Sequence, residues 1–378
     1  MKIVFISRVL FLSGVTTHML DLASGLITRG HSVTLLTAGD QFPGTRGGGK
    51  ILRRSLIDAG VSVRIIPYPT RRMARWIYPY RMLKSFILTA WYLRREKFDV
   101  IHVHTPILSF IPRFAGYKFV TTTHVAKLSL GFFHRIATEE IAISREVYDD
   151  CLNRGVAPEH LTLIHNGVDR KFSEPVADKE REKNARKLAI PSDKTVIGFV
   201  GTLCPRKGLD ILLTAMARLK SEGYRNYHIV LLGNYDKEED RAWLREVVAE
   251  TDHEAEVSIF GYDTPRKFYP LFDIFVLPSR IEGFPLVVLE ALLSRCCVVR
   301  SGTEGAEEQI ENGKTGFIFE NENPDSLAEV LRALLDDPTL RADIAAAGQA
   351  KALREFTSDT MTQKMLEVYR KAVNRYRI

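Results

Sequence analysis

The sequence predicts an α/β protein made of two Rossmann-like domains facing each other across a cleft. Short apolar, β-branched runs alternate with segments of helical periodicity, the pattern of parallel sheets wrapped by helices. That alternation stops near residue 170 and restarts after the charged segment Asp178–Lys187. A chain of 378 residues is long enough to bury two such cores.

The elements follow in order. Residues 2–7 read as a strand, and 17–26 as a helix ended by Gly30. Further strands are expected over Ser32–Thr37, 61–66, Val100–Val103, 118–122 and 140–143. After the restart come strand Thr195–Val200, helix Leu209–Ser221, strand Tyr227–Leu232, a helix over 240–250 and strand Val257–Phe260. Strands at Ile274–Leu277 and 297–300 follow, and 359–377 is helical in pattern. The expected domains are 1–170 and 191–357, with a linker region over 171–190 and a tail over 358–378. Ligands of such folds bind at the carboxyl ends of the strands.

Composition narrows the class. Hydrophobic residues make 45% and charged residues 26%, which argues against disorder. No apolar run reaches the length of a membrane span, and residues 1–7 are too short and strand-like for a signal peptide. The four cysteines have no metal-ligand spacing, and Cys296 and Cys297 read as small core residues, so a reducing cytoplasm is expected. The net charge of +7 is uneven: residues 1–135 carry 20 Lys/Arg against 5 Asp/Glu. The first domain therefore faces something anionic. Cations mixed with Trp76, Tyr78, Tyr80, Trp91 and Tyr92 suit an anionic membrane surface as well as they suit a solvated basic helix with an apolar core face. No nucleic-acid-binding module is visible.

The stretch from Ser279 to Ala291 carries the most information. The buried-strand pattern Ile274–Leu277 ends at Pro278, and Pro285 can open a helix from its first turn. Amides at such a helix start favour a phosphate. Glu282 sits in the turn and Glu290 in the second helical turn, so two carboxylates accompany those amides, a set suited to a ligand with hydroxyls and phosphates. A second strand-to-helix turn, Gly201-Thr202-Leu203-Cys204-Pro205-Arg206-Lys207-Gly208, brings two cations to another helix start. Gly14 lies in the loop after the first strand, and His124 follows the strand ending Thr121-Thr122-Thr123. Alternation puts His102 and His104 on one face, but with no converging Cys or carboxylate a metal is not expected.

Glu282, Gly283-Phe284-Pro285 and Glu290 together resemble the signature of the retaining glycosyltransferases of family 4, which have the GT-B fold. Lys207-Gly208 matches the family's Lys-Gly, while Thr202 stands where the family usually has Arg. The run His165-Asn166-Gly167-Val168-Asp169 is similar to the family's Asn-Gly-Val-Asp, and the resemblance spans about residues 1–375. It implies a C-terminal helix crossing back to the first domain. It implies sugar transfer from a UDP- or GDP-linked donor to a glycan or lipid-linked acceptor in cell-envelope polysaccharide or lipopolysaccharide synthesis. Lys207, Arg206, Glu282 and His124 are the catalytic candidates. Gly14, Gly201, Thr202, Tyr262, Gly283, Phe284, Leu286, Val287 and Glu290 join them as donor-binding candidates. No cofactor and no metal are expected. Two other readings stay open: a sugar-nucleotide epimerase of the same architecture, and a non-catalytic sugar-nucleotide-binding membrane adaptor.

Overall fold

The computed structural model describes residues 1–11, 13–40, 48–68, 77–127, 137–261 and 263–376. The chain divides into two compact units, Met1–Gly167 with Ser358–Ile378, and Val168–Thr357.

The first unit holds β1 (Lys2–Ile6), β2 (Ser32–Thr37), β3 (Ser62–Ile65), β4 (Val100–Val103), β5 (Val120–Thr123), β6 (Glu139–Ala142) and β7 (Leu161–Leu163). They form one sheet in the order β3-β2-β1-β4-β5-β6-β7, with every pairing parallel. The order reverses between β1 and β4, so the crossovers to either side leave a crevice at their carboxyl ends. The following helix is Gly14–Thr28, longer at its start than the apolar period indicates, because Ser13 and Thr16 form a reciprocal cap there.

The C-terminal helix Ser358–Tyr376 belongs to this first unit. Its Met361, Met365, Leu366, Val368 and Tyr369 join the core beneath β1 and helix Gly14–Thr28. A side chain at Gly25 would collide with Thr362, so that glycine is what lets the two helices approach. Arg29 and Asp359 pair at 2.9 Å, as do Lys371 and Glu139. The chain thus returns to its first unit.

The second unit holds β8 (Thr195–Val200), β9 (Tyr227–Leu232), β10 (Val257–Phe260), β11 (Ile274–Leu277), β12 (Cys297–Ser301) and β13 (Phe317–Phe319). Their order is β10-β9-β8-β11-β12-β13, again parallel, with the reversal between β8 and β11. Cys296 and Cys297 are fully buried in its core, and all four cysteines are free and buried. The charged segment Asp178–Lys187 is itself a helix of this unit, with Ala185 buried. The architecture is GT-B: two parallel-sheet Rossmann-like domains with a returning C-terminal helix.

Candidate functional site

In the second unit the two predicted strand-to-helix turns meet at the carboxyl ends of β8 and β11, the point where the strand order reverses. The Lys207-Gly208 turn requires glycine: Gly208 has φ +67°, and a Cβ there would strike the Pro278 carbonyl after β11. This close approach carries Lys207 to Glu282, and the ammonium donates to the Glu282 carboxylate. Both side chains are largely enclosed, 11% and 12% exposed, whereas Arg206 is 51% exposed. Arg206 lies 3.9 Å from the same carboxylate and donates to the Ile281 carbonyl at 3.2 Å. Two cations and one anion share one corner. Its net positive charge is open to a further anion, and the enclosure of Lys207 and Glu282 strengthens the interaction there.

Pro285 stands one residue earlier than expected: it is the N-cap of helix Leu286–Leu293, and no side chain caps that end. Proline has no side-chain acceptor to offer the first turn's amides, so they are available to a ligand. Phe284 and Leu286 are buried, with Phe284 edge-on to Phe356 at 5.7 Å. Their side chains are core, which leaves their backbones for any ligand contact. Glu290 is 8% exposed, and the Tyr269 hydroxyl donates to it at 2.8 Å. Burial pushes its carboxyl up to about 7, partly offset by the Tyr269 bond. Gly201, with φ +157°, follows β8, and Thr202 is partly exposed beside it. Tyr262 lies outside the described residues.

In the first unit, His124 follows β5 and packs against His18 with ring centroids 4.9 Å apart. Burial lowers its pKa well below the usual histidine value, so the ring is neutral at pH 7. Gly14 is exposed at the first turn of its helix, with open space where a Cβ would stand. Nothing in its conformation demands glycine.

Two family models match adjoining parts of the chain, Glycosyltransferase Family 4 over residues 12–172 and Glycosyl transferases group 1 over 180–351. The chain belongs to glycosyltransferase family 4. It is 24% identical to an uncharacterized glycosyltransferase of Methanocaldococcus jannaschii over 95% of each chain. It is 27% identical to the capsular polysaccharide biosynthesis glycosyltransferase CapM of Staphylococcus aureus, over 67% of this chain and 66% of that one. The crystal structure of Anabaena HepE in complex with UDP-glucose shares the fold, with a TM-score of 0.82 at 19% identity, covering 98% of this chain and 100% of that chain.

Several residues that brace this glycosyltransferase's candidate site escape sequence reasoning. Arg280 forks onto Asp210 at 3.0 and 2.6 Å, pairs with Glu322 at 2.8 Å and donates to the Pro205 carbonyl at 2.6 Å. It ties the turn bearing Lys207 to the turn bearing Glu282. Fully buried Arg300 donates to Gln309, whose amide donates to the Pro285 carbonyl at 3.1 Å. Burial lowers the Arg300 pKa to about 10, against the pull of Glu282 and Glu308. This chain fixes the Pro285 turn from behind. Arg280 stood inside the motif, but the side it faces depends on a turn; Arg300 was hidden as the last residue of an apolar strand.

Proposed function

We propose that this glycosyltransferase moves a sugar, with retention of anomeric configuration, from a UDP- or GDP-linked donor to a hydroxyl of an envelope glycan or lipid-linked acceptor. The observation that carries the reading is the corner of Lys207, Arg206 and Glu282 beside an uncapped helix start. The donor diphosphate replaces the Glu282 carboxylate as the partner of Lys207 and Arg206. Glu282 is thereby released toward the hydroxyls of the donor sugar. As the sugar–phosphate bond breaks, charge builds on the leaving diphosphate, and both cations and the amides of Leu286 and Val287 stabilise it more than they stabilise the bound donor. These groups fill the role a divalent ion takes elsewhere. Glu290 accepts from the ribose hydroxyls, and His124 contacts the donor sugar. CapM's name and the UDP-glucose bound to HepE support the donor and acceptor classes. Incubation with each donor and a lipid-linked glycan tests the reading. The α-linked donor should yield an α-linked product by NMR. Inversion would refute the stereochemistry, and conversion of donor alone to its epimer would refute transfer.

A second element concerns helix Tyr78–Glu96. Its Ser85, Thr89 and Leu93 are buried, with Phe86, Leu88 and Tyr92 packed on the core, while Tyr80, Leu83, Ile87 and Trp91 are 55–63% exposed along one ridge. The helix has an apolar core side, as a solvated basic helix would, and a second apolar ridge turned outward. Lys84 lies over the Tyr80 ring and Arg95 over Trp91. An apolar ridge rimmed by cations suits insertion at an anionic bilayer, which would bring the enzyme to a lipid-linked acceptor. Arg71, Arg72, Arg75 and Trp76 lie outside the described residues. Among the described residues no helix is long and apolar enough to cross a membrane. Co-sedimentation with anionic liposomes should fall with salt and be lost in a Leu83→Glu/Ile87→Glu variant; equal binding by that variant would remove the ridge from the account.

A further inference from the structure

The turn from Ser279 to Pro285 is held from behind by the segment that ends β12, and the centre of that support is a charge with no bonded counter-ion. The Ser301 hydroxyl donates to the Ser279 carbonyl at 2.6 Å. Gly305, at φ +69°, packs so closely that a Cβ would stand 2.6 Å from the Gly283 carbonyl. Fully buried Arg300 donates to Gln309, to the Thr303 hydroxyl at 2.8 Å and to the Glu304 carbonyl at 3.2 Å. Gln309 passes the contact on to the Pro285 carbonyl at 3.1 Å. Every bonded partner of Arg300 is neutral, and among the described residues its buried Nε has no partner. Glu282 and Glu308 reach it only through space. Arg280, in the same turn, shows the contrast: it is paired with both Asp210 and Glu322. Burial lowers the Arg300 pKa only to about 10, so the guanidinium is charged at neutral pH. A buried cation is costly unless an opposite charge compensates it. One glutamine separates this cation from the amino end of helix Leu286–Leu293, which is itself the positive end of the helix dipole. An anion arriving in front of the turn relieves both.

We propose that Arg300, acting through Gln309, is a positioning residue for the donor: it fixes the amides of Leu286 and Val287 for the diphosphate and supplies a buried positive charge that the diphosphate compensates. The inference rests on the proposed donor reading and deepens it. Arg300 has no exposed surface, so it does not touch the donor. Its effect travels by two routes. The Gln309 bond holds the Pro285 carbonyl, which restrains the first helical turn and its free amides. The charge sits in the interior, where it is weakly screened and acts at longer range than a solvated side chain. Lys207 must give up Glu282 before it meets the donor, whereas Arg300 has no carboxylate to release. That is electrostatic preorganisation: the field is in place before charge builds on the leaving diphosphate.

The test is calorimetric titration of the full chain with UDP and uridine, and with GDP and guanosine, alongside thermal unfolding. Two unit charges about 10 Å apart at an effective dielectric of about 20 interact by about one decade in affinity. Arg300→Met keeps the length of the side chain without its charge. It should bind the nucleoside diphosphate at least about tenfold more weakly than the parent, with nucleoside binding unchanged. A second variant separates positioning from folding. Arg300→Met/Gln309→Leu replaces both bonded partners by apolar side chains, which restores stability when a buried polar pair is removed whole. Its melting temperature should equal or exceed that of Arg300→Met, while its diphosphate affinity stays about tenfold or more below the parent's. Where Arg300→Met does not fold, the double variant is compared with the parent directly. Arg300→Lys keeps the charge and loses the planar fork, and should lose less than Arg300→Met. Unchanged diphosphate affinity in Arg300→Met, an equal fall in nucleoside affinity, or diphosphate affinity restored together with stability in the double variant overturns the proposal. A parent that binds nucleoside and nucleoside diphosphate equally sinks the donor reading itself. A parent that prefers the diphosphate, with Arg300 variants that prefer it as strongly, sinks this inference alone.

Discussion

The two sheets share one strand order over six strands, yet their reversal points are filled in opposite ways. At β8 and β11 the second unit gathers full charges: Lys207 against Glu282, Arg206 beside them and Arg280 clamped on Asp210. At β1 and β4 the first unit gathers neutral imidazoles with unpaired nitrogens. The difference shows how little the fold itself dictates. The parallel sheet supplies a crevice at its carboxyl edge, and the residues in the connecting turns decide what that crevice attracts.

The largest effect expected is at the charged edge. Lys207→Ala should lower turnover by about a hundredfold or more, the scale of one lost electrostatic contact to the transition state. A folded variant with near-normal turnover would place the diphosphate elsewhere.

Next in size is Glu290. Its buried carboxyl has a folded-state pKa raised to about 7, above the ordinary 4.5. Between those values the folded chain keeps a proton that the unfolded chain has lost. Stability from this group therefore falls as pH rises from about 4.5 to about 7, by up to about 1.4 kcal/mol per pH unit. Glu290→Gln should flatten that decline in urea titrations and weaken donor binding about tenfold. An unchanged pH profile would mean that the carboxylate is ionised throughout.

Arg280→Ala loosens the tie between the two turns and should cost about tenfold in kcat/KM, roughly 1.4 kcal/mol. Its melting temperature should stay close to the parent's, because Arg280 is partly exposed. A loss confined to KM would mean that Arg280 serves ground-state binding alone. The smallest effect is that of Mg²⁺. Added to chelator-treated enzyme it should change turnover less than about twofold, since Lys207 and Arg206 already neutralise the diphosphate. Full dependence on Mg²⁺ would transfer that role to an ion.

Much of this comparison was legible in the sequence. Val100–Val103, Thr195–Val200 and Ile274–Leu277 stand at their expected bounds because buried parallel strands read as unbroken apolar runs. Lys207 and Glu282 were visible as turn residues, but their pairing was not, since it depends on Gly208 packing against Pro278. His18 looked like one more position in a helical period; its neighbours His104 and His124 come from strands distant in sequence. The Tyr80–Trp91 ridge had the right period, yet periodicity does not say which face meets the core, and here Phe86, Leu88, Tyr92 and Leu93 meet it while the ridge stays exposed.

The central claim is that the charged edge recognises a nucleoside diphosphate through its phosphates, and calorimetric titration tests it most directly. UDP or GDP should bind the parent at least about a hundredfold more tightly than the matching nucleoside, a difference of about 2.7 kcal/mol. In Lys207→Ala most of that difference should vanish, while nucleoside binding stays as it was. If nucleoside and nucleoside diphosphate bind the parent equally well, the corner of Lys207, Arg206 and Glu282 is not a diphosphate site and the account is wrong.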